Sequence, residues 1–192
     1  MQLKALLVND DLERSELIRQ ALRACAHEVV GDAPTGADLP AVVGEHDPDL
    51  LVIDCPVPGN ALLAGLRELA LQCPMPVVLF TGESSLDVIR RALSAGVSAY
   101  IVDGFEPARI GAIVNVALAR FSETERLRRE LAETRAHLVE RKTVERAKGI
   151  LMKQRGFDEP QAYHALRKMA MDRNLRIGEV AENVIAVAEL LN

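Results

Sequence analysis

Leu50-Leu51-Val52-Ile53-Asp54-Cys55-Pro56-Val57-Pro58-Gly59 is the stretch on which the fold of this chain turns. Four consecutive apolar residues end at one carboxylate, and a loop with two prolines and a glycine follows. A short apolar run without alternation marks a strand covered on both faces, as in a parallel sheet. The same pattern recurs on either side. Leu3 to Val8 runs into Asn9-Asp10-Asp11, His27 to Gly31 reads as a second strand, Pro76 to Phe80 ends at Thr81-Gly82, and Ala99 to Val102 precedes Asp103. Between these runs the spacing is helical over 12–25, 35–43, 60–72 and 85–94, and a further helix starts near Pro107. Asp47-Pro48 and Gly96 act as breaks. Five strand–helix units in about 120 residues predict an α/β fold, a doubly wound, five-stranded parallel sheet.

In such sheets the site lies beyond the carboxyl ends of the strands. Those ends carry Asp10, Asp11, Asp54, Thr81 and Asp103. Carboxylates gathered there repel one another unless a hard divalent cation such as Mg²⁺ neutralises them. Asp10, Asp11 and Asp54 are the expected ligands. A carboxylate so placed can also accept a phosphoryl group, which makes Asp54 the candidate phosphoacceptor.

Composition bounds the rest. The chain has 192 residues, 49% of them apolar, which excludes wholesale disorder. Aromatic residues are only 3%, so the core must be built from Leu, Val, Ile and Ala. No apolar run reaches the roughly 18 residues of a membrane span, and the N-terminus reads as a strand without a leader. A cytoplasmic protein is expected. Cys25, Cys55 and Cys73 lack metal-ligand spacing, and four scattered histidines give no cluster.

Net charge −5 hides an asymmetry. Residues 1–121 carry 9 basic and 16 acidic side chains, whereas 140–176 carry 10 basic against 5 acidic. The first part repels polyanions and the second attracts them. Between them, no Pro or Gly interrupts 112–148, a run of strong helix formers. Leu127, Leu131, Thr134, Leu138 and Arg141 fall at a/d spacing, so this helix is expected to pair with a second copy as a coiled coil. The expected divisions are 1–121, a connector at 122–140 and a three-helix module at 141–192.

In that module the first helix stops at Gly156, the second starts at Asp158 with Gln161 suited to a capping box, and the third covers Ile177 to Leu191. On a helical wheel Val144, Ala147 and Leu151 form a buried stripe. Lys142, Arg146, Gly149 and Lys153 form a basic stripe on the opposite face. A helical glycine costs about 1 kcal/mol against Ala, and a close-approaching backbone would explain keeping Gly149. On the second helix Tyr163 is placed to stack on a base and Arg167 to pair with phosphate. Beyond Arg176 no Lys or Arg remains, so a DNA-reading last helix is excluded on charge.

Two resemblances sharpen this reading. Asp10-Asp11, Asp54 with its D-x-x-[apolar]-P-G loop, Thr81 and Tyr100 resemble a response-regulator receiver domain. The resemblance implies a metal-binding acidic pair, a phosphoacceptor at Asp54, and a switch at Thr81 and Tyr100. It departs from the pattern after the fifth strand, where a lysine is expected and Asp103 stands. At roughly 4 Å and an effective dielectric near 20, each charge sign there is worth about 4 kcal/mol. Further on, Ala147-Lys148-Gly149-Ile150-Leu151-Met152, Ala162-Tyr163, Leu166-Arg167 and Ala170-Met171 resemble the ANTAR module of the AmiR/NasT transcription antiterminators. That family implies binding of leader RNA with paired hexaloop hairpins, best by dimers. It carries an RNA-binding role onto Ala147, Lys148, Gly149, Arg167, Ala170 and Met171.

The NasT-type subgroup is the nearest, through Ala95 to Val102 followed by an acidic residue, Ala117-x-Ala119-Arg120-Phe121, and Leu138-x-Glu140-Arg141-Lys142. It implies control of nitrate and nitrite assimilation genes by a nitrate-sensing partner protein. The alternative is a conventional two-component phosphorelay, in which a sensor kinase and Mg²⁺-dependent phosphorylation of Asp54 drive the output. No enzymatic activity, DNA or membrane is expected.

Overall fold

The computed structural model describes residues 2–190 and divides into two compact units, one up to Glu125 and one from Arg126. In the first, five parallel strands, β1 (Lys4–Val8), β2 (Glu28–Ala33), β3 (Leu50–Asp54), β4 (Val77–Thr81) and β5 (Ala99–Val102), lie in the order β2-β1-β3-β4-β5. Alternate residues feed two cores. Leu6, Val8, Leu51, Ile53 and Leu79 meet α2 (Leu39–His46), α3 (Asn60–Gln72) and α4 (Leu86–Ser94) through Leu39, Leu63, Leu66 and Ala92. Leu7, Leu50, Val52, Val78 and Phe80 meet α1 (Leu12–Ala24) and the start of α5 (Ile110–Arg155) through Ile18, Leu22, Ile110 and Val114. Every central strand is thus buried on both faces, which its unbroken apolar run requires.

The expected elements form, with small shifts. The second helix was expected over 35–43 and occupies Leu39–His46 instead. Asp38 caps it through Ala41 N and Pro40 stands in its first turn, where proline's missing N–H costs nothing. Thr35 is thereby left outside the helix. Gly96, at φ 104°, turns the chain from α4 into β5, and a Cβ there would stand 3.1 Å from Ala70 Cβ.

In the second unit the remainder of α5 packs with α6 (Glu159–Arg173) and α7 (Ile177–Leu190) around Val144, Ala147, Leu166, Ala170, Val180, Ala181 and Ile185. Leu191, expected at the end of the last helix, lies outside the described residues. Gly156, at φ 70°, ends α5. The capping box is complete: Gln161 N donates to Asp158 Oδ1 at 2.8 Å, and Asp158 N donates to Gln161 Oε1 at 3.0 Å. Leu127, Leu131 and Leu138 are each about half exposed within the chain. Replacing Asp158 by Ala removes the cap and is expected to cost about 1 kcal/mol, read as a lower urea midpoint for the C-terminal helical signal.

Candidate functional site

The strand order puts the carboxyl ends of β1 and β3 side by side, at the point where the winding reverses. Asp54 ends β3 there, with only 8% of its side chain exposed. Two side chains donate to the same one of its oxygens. Asn9 Nδ2 donates to Asp54 Oδ2 at 3.1 Å and Arg14 Nε donates to it at 2.5 Å. Asp54 opens onto a cleft of about 460 Å³ that Asp11, Arg14, Thr81, Gly82 and Asp103 also line. Thr81, at the end of β4, donates its hydroxyl to Pro56 O at 2.8 Å and accepts from Glu83 N at 3.2 Å. Tyr100 is half-buried and donates its hydroxyl to Glu83 O at 2.8 Å. Asp103 adopts φ 44°, and its N–H donates to Thr81 O at 3.1 Å. Its Oδ1 lies 3.8 Å from where a Cβ on Gly82 would stand, so the carboxylate faces the cleft.

The expected metal triad does not assemble. Asp10 accepts from Thr35 N at 2.9 Å and from the Thr35 hydroxyl at 2.5 Å, and these two bonds hold its carboxyl below the usual range. Asp11 caps α1, accepting from Glu13 N and Arg14 N at 3.0 and 3.1 Å. Neither carboxylate touches Asp54, and among the described residues no three His, Cys, Asp or Glu side chains are grouped to hold a metal ion. The arrangement does not fit Mg²⁺ held by Asp10, Asp11 and Asp54. Asn9 and Arg14 are the residues the sequence reading missed. Asn9 is the first residue past the apolar run, and Arg14 is a cation in a helix's first turn, where anions are favoured. Cys55, buried next to Asp54, has its thiol pushed up to about 11, by burial first and then by Asp54 and Asp10.

In the second unit the predicted RNA-binding residues divide into two sets. Lys142, Arg146, Gly149 and Lys153 are all exposed, as the wheel predicts. Arg146 nevertheless pairs with Glu189 on α7 at 2.6 Å. A Cβ on Gly149 would meet nothing within 4 Å, so none of this chain's own backbone explains the glycine. Tyr163, Arg167 and Met171 form an exposed row along α6. Ala147 and Ala170 are core residues, placed by packing and not at the surface. Lys148 is 8% exposed and its ammonium lies 2.7 Å from Glu159 and 2.9 Å from Glu145. These three residues are buried and stand apart from the exposed row on α6. Thr81 and Tyr100, the expected switch, are joined through Glu83.

Two outcomes follow from these environments. A thiol reagent at pH 8 is expected to titrate the exposed Cys25 and Cys73 quickly and Cys55 only after denaturation; three fast thiols in the native protein would contradict the burial. Lys148 is raised above its ordinary 10.5, chiefly by Glu159 and then Glu145, and Glu159 is lowered below its ordinary 4.5 by Lys148. The Glu159 contribution is therefore present above pH 4.5 and lost as pH falls through the folded value. The Lys148 contribution is present below pH 10.5 and lost as pH rises through its folded value. Lys148→Met should flatten the acid limb of the C-terminal unit's melting temperature against pH; an unchanged limb would show that the pair adds nothing.

Comparison with known proteins agrees with this division. The response regulator receiver domain family matches residues 5–115, and the ANTAR domain family matches residues 132–185. The transcriptional regulatory protein PdtaR of Mycobacterium tuberculosis is 32% identical over 182 residues, covering 95% of this chain and 89% of that protein. A nitrate regulatory protein of Klebsiella oxytoca is 46% identical over 68 residues, 35% of this chain and 17% of that protein. Among solved structures, a CheY-like receiver domain protein of Methanospirillum hungatei superposes with a TM-score of 0.55 at 24% identity, over 65% of this chain and 99% of that one. A receiver domain of a diguanylate cyclase from Desulfovibrio desulfuricans gives 0.54 at 17%, over 65% and 99%. These two likenesses show the fold alone. With a receiver in its first unit, an ANTAR domain in its second, and a relative matched along nearly its whole length, the chain belongs to the response regulators that join a receiver domain to an ANTAR domain.

Proposed function

We propose that this protein is a transcription antiterminator that binds leader RNA carrying paired hexaloop hairpins through its C-terminal unit. The carrying observation is the surface chemistry of that unit. Lys142, Lys153 and Arg167 are exposed and, among the described residues, none has an ion-pair or hydrogen-bonding side-chain partner within the chain. Tyr163 and Met171, 46% and 73% exposed, offer stacking and apolar contact beside Arg167. Unpaired cations beside an outward aromatic suit phosphates and splayed bases. The connector at 122–140 pairs two copies through Leu127, Leu131 and Leu138, whose exposure leaves a seam for a partner helix.

A nitrate-sensing partner protein governs the receiver, and the targets are nitrate and nitrite assimilation genes. The similarity over 68 residues to the nitrate regulatory protein of Klebsiella oxytoca supports this reading. Asp103 facing the cleft, where a lysine would contact a phosphoryl group, also favours partner control over phosphorylation. The conventional reading, phosphorylation of Asp54 by a sensor kinase, draws its support from Asp54 and Thr81 at adjacent strand ends lining one cleft.

A gel shift with a two-hexaloop RNA tests the proposal. The unmodified chain is expected to bind without a phosphodonor. Lys142→Ala, Lys153→Ala and Arg167→Ala should each weaken binding and each lower the slope of log K against log salt by about 0.7–0.9. Full affinity in the triple variant would overturn the proposed surface. Binding only after beryllofluoride is added would favour phosphorylation of Asp54.

A further inference from the structure

We infer that Arg14 is the resident counter-ion of Asp54, taking on α1 the place that a divalent cation and the β5-side lysine share in a receiver. The inference deepens the reading of the receiver as a partner-governed unit. Asp11, Asp54 and Asp103 line the cleft, and Arg14 is the cation among its lining residues. Asp54 is buried, and a buried carboxylate is stable only when paired. Both contacts to its Oδ2, from Arg14 Nε and Asn9 Nδ2, come from the β1–α1 segment.

The carboxylates a metal would use are each engaged elsewhere in the chain. Thr35 engages Asp10, the first turn of α1 engages Asp11, and an amide, not a carboxylate, reaches Asp54 from the end of β1. Arg14 is also placed against the local electrostatic preference. It stands three residues after the N-cap Asp11, where the helix dipole disfavours a cation. Asp54 at 2.5 Å and the neighbouring Asp11 compensate for that position. A guanidinium stays protonated across the physiological range and, unlike a metal ion, cannot leave the protein. The charge of Asp54 is therefore balanced by the chain itself, and the pairing at this carboxylate does not depend on Mg²⁺.

Nitrogen-15 arginine labelling of the full chain tests this directly. The wild type is expected to give a displaced, slowly exchanging Arg Nε–H signal. Arg14→Gln should remove that signal, Asp54→Asn should return it to the free-arginine position, and millimolar Mg²⁺ should leave it unmoved. By calorimetry the wild type should give no Mg²⁺ binding heat. Arg14→Gln should gain roughly tenfold or more in Mg²⁺ affinity, and adding Asp54→Asn should abolish the gain. A signal indifferent to Asp54→Asn, a signal that collapses on adding Mg²⁺, or equal Mg²⁺ affinity in wild type and Arg14→Gln would overturn the inference. Should Arg14→Gln fail to fold, the Asp54→Asn spectrum decides alone. Neither readout involves RNA, a partner or a phosphodonor, so the inference can fail while RNA binding stands, and the reverse.

Discussion

A carboxylate held out of water at the junction of β1 and β3 is the constraint around which the N-terminal unit is organised. Two apolar cores fill the faces of the sheet and leave Asp54 at its edge with 8% of its side chain exposed. Desolvation of a charge is costly, and repulsion from Asp11 and Asp103 across the same cleft adds to it. The chain answers with Arg14 and Asn9, both on the segment that leaves β1. That segment lies next to β3 only because the strand order is β2-β1-β3. The counter-charge is thus a property of topology as much as of composition.

The C-terminal unit distributes its cations in a related way. Lys148 and Arg146 are tied to Glu145, Glu159 and Glu189, and join helices that share a small, Ala-rich core. Among the described residues Lys142, Lys153 and Arg167 have no such partner, and they stay in solvent. One motif, Ala147-Lys148-Gly149, contains all three kinds of position: a core methyl, a structural ion pair, and an exposed glycine with open space above it. Proximity of residues in a motif therefore does not make them one contact surface. The helix turns each by about 100° and gives it a different neighbour.

Much of this is legible in the amino-acid sequence. The unbroken apolar runs marked β1, β3, β4 and β5 because only a doubly covered sheet buries such segments. Asp158 with Gln161, and Gly156 before them, marked the helix boundaries because capping is local chemistry. Asp54, Thr81 and Asp103 were legible as cleft residues because strand ends in parallel sheets share one edge. The expected metal triad does not come together, for a reason of the same kind. A sequence tells that Asp10 and Asp11 follow a strand, but not which way each side chain turns. Asp10 turns to the backbone N–H and hydroxyl of Thr35, a contact between distant loops that no local pattern announces.

What the sequence by itself determined is therefore the set of elements, their order, the acidic edge and the basic module, all consequences of periodicity, turn chemistry and charge count. What only the tertiary structure decided is pairing: Arg14 with Asp54 across forty residues, Lys148 with Glu159, Arg146 with Glu189. Partner choice between charges depends on distance and burial. Those quantities exist only once the helices and strands have packed.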